Sequence, residues 1–130
     1  MQIVQQLAVF LDNRPGALSR LCSALAEAKI NIYALSTSDT IDHTVLRMVV
    51  SEPRRTIDIV EERGALVVDD EVLMLDMGNK PGGLAEIAAK LSQAKMNIEY
   101  CYASAAPRSR KGVLILRVSD PHKAMKVLSK

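Results

Sequence analysis

The stretch DNRPGALSRL, residues 12–21, ends a run of alternating apolar residues, turns on Pro-Gly, and begins an apolar pattern of helical spacing; at residues 78–87 the chain repeats it as GNKPGGLAEI. Laying NRPGALSRLCSALAEAKINI (13–32) on NKPGGLAEIAAKLSQAKMNI (79–98) pairs nine identical residues of twenty without a gap. Further on, TVLRMVVSEP (44–53) pairs with GVLILRVSDP (112–121), with two extra residues in the middle loop of the second copy. Two matched stretches in one order mark a tandem duplication.

The unit can be read once and checked twice. Leu7, Val9, Leu11 and Leu73, Leu75, Met77 keep one parity apolar before the turn, the mark of a half-buried strand. After it, Leu18, Leu21, Leu25 and Leu84, Ile87, Leu91 recur at i, i+3, i+7, a helical face. Pro15 and Pro81 suit the first helical position, where a missing N–H costs nothing. Strands follow from INIYALSTS or MNIEYCYAS and from VLRMVV or VLILRV; Pro53 and Pro121 open second helices, and Gly64 suits the C-cap of the first of these. The order β-α-β-β-α-β, twice, predicts an α+β fold of two ferredoxin-like units, each an antiparallel sheet with helices on one face. The expected domains are residues 1–70 and residues 71–130, the second lacking its last strand because the chain ends at LSK. One candidate for joining the halves is LVVDDEVLML, with a hairpin at Asp69-Asp70; a simple interdomain link is the other.

Composition sets the class. The chain has 130 residues, 48% hydrophobic and 25% charged, as expected of a soluble globular protein. No apolar run approaches the roughly 20 residues that span a bilayer. The start MQIVQQLAVFLDN has neither a basic region nor a small-residue cleavage site, so the expectation is a cytoplasmic protein without a signal peptide and without membrane contact. Net charge is +2, and part of the basic excess of the second half is RSRK at 108–111. With one Phe, three Tyr and no Trp there is little with which to stack bases, so nucleic acid is not the expected partner.

The repeated turn has two readings. A helix start leaves N–H groups unpartnered, and its dipole favours negative charge. Gly16 and Gly82 let a ligand approach the backbone, so a carboxylate fits the amides of residues 16–18 or 82–84. Asn13 and Asn79 both donate and accept beside that point, and Asn31 or Asn97, opening the next strand, returns to the same region in this reading. One carboxylate and one ammonium on a small molecule describe a free amino acid. The plainer reading is efficient helix-start chemistry, with Asn13 or Asp12 capping the free N–H groups.

Two ferredoxin-like units, each with a strand, (D/G)-N-(R/K)-P-G-(A/G)-L, a helix ending in A-K-(I/M)-N-I and a following strand, resemble the ACT domain family over nearly the whole chain. The tandem arrangement is similar to free-standing, ACT-only proteins. The resemblance implies regulatory binding of a small ligand, most often an amino acid, between ACT units. It places ligand contacts on Asn13, Gly16, Ala17, Leu18 and Asn31, and on Asn79, Gly82, Gly83, Leu84 and Asn97. Gly78 in place of Asp12 and Gly83 in place of Ala17 make the two sites inequivalent.

Other chemistry is sparse. His43 falls in the predicted hairpin loop SDTIDHTV and His122 at a helix start, both read as exposed. Cys22 and Cys101 align with Ala88 and Leu35 and are read as packed thiols, without the spacing of a metal site. Neither GxxxxGKS nor GxSxG occurs, so catalysis, cofactor and metal are not expected. The sheet face turned from the helices would carry Phe10, Met74, Val45, Val49, Val113 and Ile115, with Arg47 and Arg117 as a rim in the preferred reading or as a ligand clamp in the other. Such a face is too apolar for water, which points to a homodimer through it. The expectation is a non-catalytic amino-acid sensor with allosteric switching; the alternative is an interaction module that docks a metabolic enzyme without a ligand of its own.

Overall fold

The computed structural model describes residues 1–39 and 43–130. Along the chain these form β1 (Gln2–Asp12), α1 (Ala17–Glu27), β2 (Ile32–Asp39), β3 (His43–Val50), α2 (Pro53–Glu62), β4 (Leu66–Gly78), α3 (Gly83–Gln93), β5 (Ile98–Ser104), β6 (Lys111–Val118) and α4 (Pro121–Leu128). This is the expected α+β order of two ferredoxin-like units. Thr40, Ile41 and Asp42 of the predicted hairpin loop lie outside the described residues; His43 of that loop instead opens β3, opposite Asp12.

The first unit is Gln5–Asp70, with strand order β2-β3-β1-β4. Leu7 pairs with Met48 and Val9 with Leu46 across β1 and β3, and all four are fully buried. Leu21 and Leu25 of α1 and Val60 of α2 close on them, so the predicted apolar parity and helical face meet in one core. The contact Gln5 Nε2 to Asp69 Oδ2 joins β1 to β4 within this unit.

The second unit is Glu71–Lys130 together with Met1–Val4, and its strand order is β5-β6-β4-β1. Leu73 pairs with Leu116 and Leu75 with Leu114, packing on Leu91 of α3 and Ala124 of α4. Residues 1–4, which the repeat assigned to the first unit, stand where the second copy's last strand is missing, and Ile3 packs on this core. The candidate hairpin at Asp69-Asp70 does not form: β4 runs unbroken for 13 residues. Asp-Asp lacks the Gly or Asn that a tight two-residue turn takes at positive φ, so an extended backbone prevails.

Local chemistry explains the helix ends. Pro53 and Pro121 occupy the first helical position as predicted, and the Asp120 side chain caps α4 by accepting from Lys123 N–H at 3.1 Å. Gly64, at φ 77°, ends α2 with Gly64 N–H donating to Glu61 O and Ala65 N–H to Val60 O. The A-K-(I/M)-N segments make the same paired closure: Ile30 N–H donates to Leu25 O and Met96 N–H to Leu91 O, both at 2.9 Å. Here the left-handed position is held by Lys29 and Lys95, each at φ 60°.

The outer face differs from expectation in degree. Phe10, Val45, Met74 and Val113 are half-buried, while Val49 and Ile115 are 2% and 0% exposed. The large apolar side chains that do meet water lie elsewhere, including Leu18, Leu84, Leu66 and Val68. Arg117 is a strap within its unit, donating to Glu71 O at 2.8 Å and pairing with Glu99 at 3.5 Å. Cys22 is half-buried, but Cys101, expected to be packed, is exposed on the edge strand β5.

Candidate functional site

The two Pro-Gly turns adopt one geometry. Gly16 has φ 86°, ψ −11° and Gly82 φ 88°, ψ −6°, the left-handed third position of a type II turn whose second position is Pro. Ala17 N–H closes the first turn on Arg14 O at 3.3 Å, and Gly83 N–H the second on Lys80 O at 3.1 Å. Pro15 and Pro81 therefore precede the helices, which begin at Ala17 and Gly83; they do not take the first helical position. A left-handed glycine between proline and helix is the physical reason, because it reverses the chain before helical φ and ψ begin.

Neither α1 nor α3 has a side-chain cap, so the plainer reading of Asn13 or Asp12 as capping groups is not realised. The first intrahelical bonds are Arg20 N–H to Gly16 O at 2.9 Å and Glu86 N–H to Gly82 O at 3.0 Å. Because the amides of Ala17 and Gly83 are consumed by the turns, the helix-start donors left are those of Leu18 and Ser19, and of Leu84 and Ala85. Leu18 and Leu84 carry them on side chains 42% and 41% exposed.

The asparagines fall into different roles. Asn13 is exposed beside the first turn. Asn79 is committed: its Nδ2 donates to Ala106 O at 3.0 Å and Ser109 O at 2.7 Å, and its backbone N–H to Arg110 O at 3.1 Å. It thereby fastens the basic RSRK loop over the second turn, which leaves only its amide oxygen for other work. Asn31 N–H donates to Ser51 Oγ at 2.9 Å, beyond the far end of β3 from the pair Asp12 and His43. At about 3.4 Å per residue along β3, Asn13 and Asn31 of one unit are roughly 25 Å apart. Asn97 likewise precedes Ile98, opposite Val118, whereas Asn79 follows Gly78, opposite Lys111. Within a single unit, the second asparagine does not return to the turn.

The Asp12/Gly78 and Ala17/Gly83 differences have a packing cause. A Cβ on Gly83 would lie 2.5 Å from Gly78 O, so the second helix starts tightly against the strand end. Gly83 is buried. In the first copy the neighbour of the turn is Arg20, whose Nη1 lies 2.7 Å from where a Cβ of Gly16 would stand; the matching residue of the second copy is Glu86. Sequence reading missed Arg20, which lies on the polar side of its helix and has no counterpart of like charge in the repeat.

A cavity adjoins each turn. The first measures about 630 Å³ and is lined by Val9, Leu11, Leu21, Val60 and others, with Arg14, Arg20 and Arg63 among its polar groups. The second measures about 380 Å³ and uses the matching positions Leu75, Met77, Ile87 and Leu128, with Lys80, Glu86 and Lys90. Duplication has thus preserved the depression and altered its charge.

Fold and paired turns define a duplicated βαββαβ protein of the regulatory ACT class. The ACT domain pair family matches residues 1–130, and the chain belongs to that family. It is similar to protein BT0572 from Bacteroides thetaiotaomicron, at 30% identity over 98% of this chain and 87% of that one, with a TM-score of 0.90. The regulatory subunit of aspartate kinase from Thermus thermophilus, in a ligand-free form, shares the fold at 14% identity, covering 98% of this chain and 90% of that one with a TM-score of 0.72. The corresponding subunit from Thermus flavus covers 99% and 92% at 13% identity, with a TM-score of 0.66. No curated protein matches the chain in sequence. Among the described residues no helix is long and apolar enough to cross a membrane.

Proposed function

We propose that the chain is a non-catalytic regulatory protein that binds a free amino acid at its strand–turn–helix sites. The observation that carries this reading is the pair of uncapped helix starts, each behind a left-handed glycine. Open amides and the helix dipole favour a carboxylate there. In the first copy Asn13 adds a free carboxamide; in the second, Asn79 offers only its oxygen, which suits the ammonium. Membership of a regulatory family supports a role in which ligand binding shifts the protein between states. A cytoplasmic homodimer belongs to the same proposal.

Thermal unfolding of the purified chain against each of the twenty free amino acids tests it. Saturation at about 100 times Kd adds about 2.7 kcal/mol of stability, a clear rise in melting temperature. The expected outcome is a rise with one or two amino acids, reduced by Asn13→Ala. No rise with any amino acid at millimolar concentration would overturn the proposal. Leu66 and Val68, 64% and 46% exposed, favour a second reading, a module that docks a metabolic enzyme. In that case Leu66→Asp with Val68→Asp abolishes docking and Asn13→Ala does not.

A further inference from the structure

We propose that the cavity beside the first turn is a site for a small organic anion, a carboxylate with an apolar body and no ammonium group. Its accessible apolar lining comes from Leu11 of β1, Val45 of β3 and Leu66 of β4, over a floor of the buried core residues Val9, Leu21 and Val60. At about 630 Å³ it falls in the size range of small-molecule pockets, which combine an apolar lining with a few convergent polar groups.

Charge selects the ligand class. Among the described residues, five charged or titratable side chains line the cavity: Asp12, Arg14, Arg20, His43 and Arg63. Asp12 and Arg14 pair with each other at 3.1 Å, so Asp12 is already engaged by a cation. Arg20 and Arg63 have no carboxylate partner among the described residues, and the Arg20 guanidinium is turned toward Gly16. Two guanidinium groups on one rim offer a carboxylate planar, charge-assisted hydrogen bonds. The same rim repels an ammonium, which meets no uncommitted carboxylate among the described residues. An amino acid is therefore the wrong ligand here, although its deaminated, apolar counterpart is a suitable one.

The duplicated unit is a built-in control. Its cavity, about 380 Å³, carries Lys80 and Lys90 against Asp76 and Glu86, and Lys80 lies 3.9 Å from Glu86. Two cationic and two anionic side chains balance there, so an anion preference carried by side chains belongs to the first unit. The proposal goes beyond amino-acid binding at the turns: Arg14 and Ala17 of the turn share the lining, but Arg20 comes from α1 and Arg63 from the end of α2.

The test is calorimetric titration of the full chain with 4-methylpentanoate, with leucine and 4-methylpentan-1-ol as matched controls carrying an added ammonium or lacking the charge. Binding of 4-methylpentanoate is expected to be at least about tenfold tighter than that of either control, and to weaken with added salt. Arg20→Gln with Arg63→Gln is expected to weaken it by about tenfold or more, since hydrogen bonds to charged groups contribute that much or more. Lys80→Gln with Lys90→Gln should leave it unchanged, and so should Asn13→Ala, which separates this site from the turn. These arginines are exposed, so the variants are expected to fold, and an unchanged melting temperature checks it. No binding of 4-methylpentanoate at millimolar concentration overturns the proposal. So does binding that survives loss of both arginines, or an affinity for leucine equal to that for the carboxylate.

Discussion

Gly82 and Gly83 are adjacent and do different work. Gly82 supplies φ 88°, a conformation with nothing within 4 Å of its absent Cβ, while Gly83 supplies room, because a Cβ would meet Gly78 O at 2.5 Å. Gly83→Ala is therefore expected to destabilise by about 1–3 kcal/mol through overpacking against backbone, measured by urea unfolding. The first copy tolerates Ala17 at the same position, so Ala17→Gly should change stability by less. Lys29 and Lys95 make the opposite case, holding a left-handed position where glycine is free of strain. Lys29→Gly is expected to raise stability by up to about 1 kcal/mol, the relief of strain exceeding the added chain entropy. A fall in the unfolding midpoint would show that the lysine side chain compensates.

At the scale of elements, Asn79 ties the loop between β5 and β6 to the end of β4. Asn79→Ala removes two side-chain bonds and is expected to cost about 1–2 kcal/mol. Amide exchange of residues 105–110 should speed up while that of the α3 core stays slow; uniform acceleration would mean that the loop bears on the whole unit. The motif itself was legible: alternating apolar residues, Pro-Gly, then a helical face. That Asn79 serves the loop was not, because its partners Ala106 and Ser109 lie 27 and 30 residues away and accept through backbone oxygens that any residue supplies. Strand length, not residue type, puts Asn31 at the far end of β3 from the turn.

For the whole molecule, the grouping of Met1–Val4 with residues 71–130 makes a direct prediction. Deleting the first four residues should lower the stability of the second unit, with amide exchange rising in β4 from residue 71 onward and α1 protection retained. Ile3 packs on that unit's core, and burial of such a side chain contributes roughly 2 kcal/mol. Equal loss of protection in both units would show that the N-terminal strand serves them alike.

The sequence by itself determined the duplication, the order of ten elements, the core parities and the family, since each is written in local period and in matched residues. Hydrophobic period is local, and a segment carries it wherever it packs. Tertiary structure alone decided which strand completes the second unit, that β4 passes through Asp69-Asp70 without turning, and that Arg14, Arg20 and Arg63 gather at one cavity. Those outcomes depend on which segments meet. Ile3 meets the core of Leu73 and Leu116, and Arg14 and Arg63 meet one cavity, only when the chain closes, and nothing in their immediate surroundings encodes the encounter.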